Sequence, residues 1–116
     1  MPRLEQNFAH PDQGCDWIGV AGQVLDEQGE AITGQVIVVS GVMNDEVVDG
    51  VSLSGAVGQY GPGGYEIRLP AQLAVSSQLH LQLLDLDGAP LSDPVLFDPP
   101  GSCERTLVLV NFRFQP

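Results

Sequence analysis

Apolar residues recur at every second position along most of this chain and nowhere at helical spacing, which restricts it to extended strands. Ile18, Val20 and Val24 share one face, with Gly22 on the same face. Val36 and Val38 alternate with Gln35 and Ile37, so that run is apolar on both sides. Val51, Leu53 and Val57 alternate with Ser52 and Ser54, which predicts a strand with its serines outward. Tyr65, Ile67 and Leu69 alternate with Glu66 and Arg68, and Leu79, Leu81 and Leu83 with His80 and Gln82. Val95 and Phe97 make a short run after Pro94. The last and cleanest run places Val108, Val110, Phe112 and Phe114 on the core side. Ala71 to Ser77 is too short for a helix of its own and is expected to be a loop or a single turn. These runs predict a seven-stranded antiparallel two-sheet sandwich, immunoglobulin-like or transthyretin-like. At 116 residues the chain holds one core. The expected division is an N-terminal extension or linker over 1–14 and a sandwich domain over 15–116.

The turns carry an internal echo. Val24-Leu25-Asp26-Glu27-Gln28-Gly29-Glu30-Ala31-Ile32 returns 59 residues later as Leu83-Leu84-Asp85-Leu86-Asp87-Gly88-Ala89-Pro90-Leu91. Each copy leaves a strand at an aspartate and turns at a glycine, the residue that tolerates positive φ. Duplicated hairpins and convergent turn chemistry both produce such an echo.

Gly22-Gln23-Val24-Leu25-Asp26 followed by Gly29-Glu30-Ala31-Ile32-Thr33-Gly34-Gln35-Val36-Ile37-Val38 resembles the opening hairpin of carboxypeptidase regulatory-like domains, which are transthyretin-like sandwiches. Gly64-Tyr65-Glu66-Ile67-Arg68-Leu69-Pro70 resembles a later strand of that family. The likeness covers about half the chain. After Pro70 the pattern departs, and the second aspartate–glycine hairpin is extra. The resemblance implies a non-catalytic accessory module of secreted or surface proteins and brings no catalytic residues with it.

Charge narrows the partners. Fifteen acidic residues face four arginines, with no lysine, for a net charge of −11. Such a surface repels phosphate, so nucleic acid and anionic membranes are excluded as partners. No apolar run reaches the roughly 18–20 residues of a membrane helix, so no membrane insertion is expected. Met1 to Gly14 lacks the apolar stretch of a signal peptide. The chain is then either cytosolic or a piece of a longer exported protein.

The cysteines bear on that choice. Cys15 precedes the first strand and Cys103 the last. A disulfide between them staples the chain ends and places the protein in an oxidising compartment, extracellular or at the cell surface. The other reading is two unrelated thiols. Two cysteines without a histidine at ligand spacing make no zinc site.

No enzymatic constellation stands out, and the chain is expected not to be an enzyme. His10 lies in a polar segment and His80 on the solvent side of a strand. Gly50-Val51-Ser52-Leu53-Ser54-Gly55 resembles a nucleophile elbow but lacks its second glycine and the following helix. Gly58-Gln59-Tyr60-Gly61-Pro62-Gly63-Gly64 has no lysine and opens no helix, so it is not a phosphate loop. Tyr60, Tyr65 and Trp17 are the candidate binding aromatics for carbohydrate, although Tyr60 and Trp17 also suit packing over the sandwich. Asp26, Glu27 and Glu30 crowd one turn, Asp85 and Asp87 its echo, and Asp45, Glu46 and Asp49 a third loop. Asp26, Glu27, Asp85 and Asp87 are the weak metal candidates. Their spacing is not that of an EF-hand, and aspartates before a turn glycine ordinarily cap backbone amides, so no metal and no cofactor are expected. The function expected is a structural spacer or protein-interaction domain that meets other domains or proteins at a surface. A carbohydrate-binding module is the alternative.

Overall fold

The computed structural model describes residues 2–70 and 77–113. They form an all-β sandwich of two sheets with no α-helix. The strands are β1 (Arg3–Glu5), β2 (Ile18–Leu25), β3 (Val36–Met43), β4 (Glu46–Leu53), β5 (Gly64–Leu69), β6 (Ser77–Leu84), β7 (Val95–Phe97), β8 (Leu107–Leu109) and β9 (Phe112–Arg113). One sheet runs β1-β8-β2-β5, with β9 also on β2; the other runs β4-β3-β6-β7.

Two expectations change here. Among the described residues the strands number nine, and the first sheet is mixed. β1 pairs antiparallel with β8, so Arg3–Glu5 belongs to the sheet. The final run pairs with β2 in parallel, first as β8 and then as β9. It breaks at Asn111, whose side-chain Oδ1 accepts the Gln23 amide in place of a backbone carbonyl. The second sheet is antiparallel throughout, as expected.

Between the sheets lies a core to which Ile18, Val20, Ile37, Val39, Leu81 and Val108 contribute, all nearly or wholly inaccessible. Val110 and Phe112 are buried there too, as their alternation indicates. Phe114, the fourth residue of that run, and most of the Ala71–Ser77 segment lie outside the described residues.

The strand read from Val51, Leu53 and Val57 is turned over. Asn44 and Asp45 both have positive φ, 51° and 67°, the pattern of a two-residue type I′ hairpin turn. That turn pairs Val42 with Val47 and Val38 with Val51. Opposed residues of an antiparallel pair point to one side, so Val47, Val51 and Leu53 face outward beside Val42, Val38 and Val36. Val48 and Gly50 face the core instead, and Ile67 from β5 fills the space above Gly50. Ser54, expected outward, is buried at the sandwich corner, where its Oγ accepts the Gln35 amide.

The echoed hairpins superpose in their bonding. Asp26 Oδ1 accepts the amides of Gln28 and Glu30, and Asp85 Oδ1 those of Asp87 and Ala89, each at 2.9 Å. Gly29 and Gly88 take φ of 85° and 86°.

Candidate functional site

Two regions concentrate unusual chemistry. The first covers the outer face of the β1-β8-β2-β5 sheet. Trp17, Ala21, Tyr60 and Leu107 form a second small core there, with Ala9, Val57 and Leu109 against it. Asn7 clamps His10 by a pair of bonds: its Nδ2 donates to the His10 carbonyl and its Oδ1 accepts the His10 amide. The His10 ring stacks on Trp17 at a centroid distance of 4.7 Å. Glu66 on β5 sits beneath, and its Oε2 accepts a hydrogen bond of 2.7 Å from the Tyr60 hydroxyl and meets His10 Nε2 at 2.9 Å. Burial, and then Glu66, pushes Tyr60 far above the ordinary phenol range. The phenol therefore stays protonated and donates.

Glu66 Oε2 thus gathers both Tyr60 and His10, while His10 Nδ1 meets Gln13 Nε2 at 3.4 Å. The arrangement locks the N-terminal segment onto the sheet. Its signal in the sequence is weak, because His10 and Glu66 are 56 residues apart.

The candidate aromatics are therefore inside the protein. Trp17 is 2% exposed, Tyr60 8% and Tyr65 wholly buried, with its hydroxyl donating to the Val110 carbonyl at 2.6 Å. None of the three offers an open ring for a sugar to stack on, which corrects their reading as a binding loop. Cys15 and Cys103 are joined in a disulfide. A disulfide of this kind is compatible with an extracellular location. Among the described residues no three His, Cys, Asp or Glu side chains converge as metal ligands. Asp26 and Asp85 each engage Oδ1 with two backbone amides of their own turn, leaving Glu27 and Asp87 on the exposed flanks.

The second region is the outer face of the β4-β3-β6-β7 sheet. Sandwich faces that meet water are ordinarily polar. Here Val47 and Val51 on β4 are 82% and 65% exposed, and Leu96 on β7 is 67% exposed. Leu53 and Val42 are also exposed. The pairing of Val36 with both Leu53 and Leu84 carries the apolar surface across three strands. Polar residues interrupt it: Asp49, Ser40, His80 and then Leu96 lie side by side across the four strands, and Gln78 and Gln82 flank His80 on β6 in the same outward phase. Asp49 is the sole carboxylate at these outward positions, and no lysine or arginine joins it. His80 Nδ1 is buried without a hydrogen-bond partner, the single such side-chain atom among the described residues.

No protein-family model and no curated protein matches the chain. A solved structure does. The chain is similar to the dioxygenase domain of a dioxygenase carbohydrate-binding protein fusion from the cellulolytic bacterium Streptomyces sp. SirexAA-E. The TM-score is 0.52 and the identity 16%, over 84% of this chain and 78% of that one. At that identity the likeness is one of fold. It nevertheless overturns the expectation that the chain is not an enzyme. That expectation leaned on the want of a catalytic constellation in the sequence and on the resemblance to accessory domains, and a dioxygenase domain shares this fold. No helix among the described residues is long and apolar enough to cross a membrane.

Proposed function

We propose that this chain is an interaction domain of a larger exported or surface protein, docking through the outer face of its β4-β3-β6-β7 sheet. The observation that carries the reading is the inverted polarity of that face. A strand with Val47 and Val51 mostly in water gains nothing from them in the isolated fold. Apolar side chains gathered on one sheet mark a surface that becomes covered. The disulfide supports an oxidising compartment, and the resemblance to carboxypeptidase regulatory-like domains supports an appended module of the transthyretin-like kind.

The experiment is a Val47→Lys/Val51→Lys double variant placed in the full-length parent protein. Both side chains point away from the core, so the domain should melt within a few degrees of the native one. Assembly or surface attachment of the parent should fall. Unchanged attachment with an intact fold would overturn the reading.

A further inference from the structure

We infer that the open side of the sandwich, between the edges of β1 and β7, takes up an added strand along β1. The occupant is an extended segment of another protein, apolar on one side and acidic on the other. This inference goes beyond the docking face and does not depend on it.

The two sides of the sandwich differ. On one, the sheets are drawn together where Ser52 Oγ on β4 accepts the Glu66 amide on β5 and Ile67 fills the space above Gly50. On the other, β1 ends one sheet and β7 ends its partner, and among the described residues no backbone hydrogen bond joins them. A cleft of about 290 Å³ lies between these edges, with Leu4, Leu96, Phe97 and Val108 in its lining.

The register shows which backbone groups the edges offer. Thr106 and Val110 turn theirs to β2, the first accepting the Gly19 amide and the second donating to the Ala21 carbonyl. Backbone groups alternate in direction along a strand, so Leu107 and Leu109 turn to β1 and bond their partners Glu5 and Arg3. Leu4, between those two, points its N–H and C=O away from the sheet. On β6 the Leu83 carbonyl accepts the Leu91 amide, so Leu79 and Leu81 turn the same way, to Phe97 and Val95. Leu96 likewise presents its N–H and C=O to the open side.

Short edge strands ordinarily discourage pairing. What distinguishes β1 is the side chain of Leu4. Residues opposed in an antiparallel pair share a side, and Leu4 opposes Val108 of the core. Val108 is 1% exposed, yet Leu4 is 45% exposed. A core-facing leucine is thus left in water beside its own unpaired backbone groups. One more strand along β1 bonds that backbone and covers that side chain, the mode by which sheet edges recruit extended peptides.

Charge selects the occupant. Arg3 and Arg105 line the adjoining cleft of about 490 Å³, two of the four arginines in a chain of net charge −11. Glu5 offsets part of Arg3 by meeting its Nε at 2.9 Å, whereas Arg105 makes no ion pair among the described residues. Asp98 lies on the β7 lip and repels an acidic strand from that edge, which leaves β1 as the acceptor. The apolar residues of the added strand then fall beside Leu4. Its acidic residues alternate with them on the outer face, beside the arginines.

The test is amide NMR of the isotope-labelled chain, titrated with an octapeptide of alternating valine and glutamate up to about millimolar concentration. Saturable shifts centred on Leu4 are expected, although both molecules are acidic. Arg105→Glu, an exposed substitution, should weaken binding about tenfold or more. A valine–lysine octapeptide should bind more weakly, and the valine–glutamate peptide N-methylated throughout should not bind. The Val47→Lys/Val51→Lys chain should bind as the native one does, so this inference and the docking reading fail separately. No shift at Leu4 overturns the inference, as does equal binding by the lysine or methylated peptide. Leu4 shifts that follow chain concentration without peptide would make a second copy the occupant and overturn it likewise.

Discussion

Cys15 and Cys103 are 88 residues apart, and the same offset of 88 pairs Val20 with Val108 and Val24 with Phe112 in the parallel ladder beside them. The disulfide thus lies at the head of the register that it constrains. Parallel neighbours joined by so long a connection must close a large loop before any ladder bond forms. The crosslink does that in advance, with Cα atoms 4.9 Å apart.

Removing it should therefore be costly. In the chain-entropy account a closed loop of this length stabilises the fold by about 4–5 kcal/mol. A Cys15→Ser/Cys103→Ser protein should lose that much in urea unfolding, a large part of the stability of a domain of this size. A loss under about 1 kcal/mol would mean that the β2–β8 register holds without its staple.

The seam between β2 and the final strands supplies a second expectation. A Cβ at Gly22 would overlap the Val110 carbonyl, which is backbone and cannot swing aside. That carbonyl also receives the buried Tyr65 hydroxyl. Gly22→Ala should then cost more than about 2 kcal/mol, whereas Gly101→Ala, with nothing near its Cβ, should be close to neutral. Equal thermal melts for the two variants would show that the seam is looser than described.

How far the sequence discloses this fold depends on the range of the interactions. Alternation located β2, β3, β5 and β6, since each contrast of apolar and polar residues is local. The paired turns at Asp26 and Asp85 were legible for the same reason, as their capping bonds span two to four residues. β1 offers only three residues and draws its order from β8. The break at Asn111 depends on an amide 88 positions away. β4 misleads because both of its phases carry valines, so period two alone leaves its inward side undetermined. The Asn44–Asp45 turn decides it by fixing the register, and neither residue is the glycine that usually marks such a turn. The apolar face was hidden by that same ambiguity. The His10–Glu66–Tyr60 cluster was hidden by distance along the chain.

Alkaline pH should unfold the protein through its two tyrosines. Burial, and secondarily Glu66, pushes Tyr60 up, and burial pushes Tyr65 up. In the unfolded chain both ionise near the ordinary value of about 10. Above that pH the folded chain retains protons that the unfolded chain releases, so folding is progressively opposed. The contribution is complete below about pH 10 and declines as pH rises, by up to ~1.4 kcal/mol per pH unit for each tyrosine. Tyrosinate absorbance and circular dichroism should change together in a pH titration. Tyr65→Phe should weaken the dependence. A phenolate signal near pH 10 with an undisturbed fold would place one hydroxyl in water.

The capping aspartates predict a modest, paired effect. Asp26→Ala and Asp85→Ala each strip two backbone amides of an acceptor in an exposed turn, where water replaces part of what is lost. Each should cost about 1 kcal/mol, and the two should add, since their turns share no partners. A calorimetric loss above about 3 kcal/mol for either would mean that its turn carries more than its own backbone.

The sharpest check on the inverted strand compares two valines three positions apart. Val48 is 6% exposed within the core, and Val51 is 65% exposed on the outer face. Lysine at position 48 must bury an ammonium among apolar side chains or push the sheets apart, either of which should cost more than about 3 kcal/mol. Lysine at position 51 lays its alkyl stem along Val38, its partner on β3, and leaves the charge in water. Its cost should stay within about 0.5–1 kcal/mol. The apolar alternation of Val51 and Leu53 read by itself makes the opposite forecast, with position 51 inside. Thermal melting of the two single variants separates the readings. A Val51→Lys protein that melts far below a Val48→Lys protein would restore the serines to the outer face, and with them would go the docking surface.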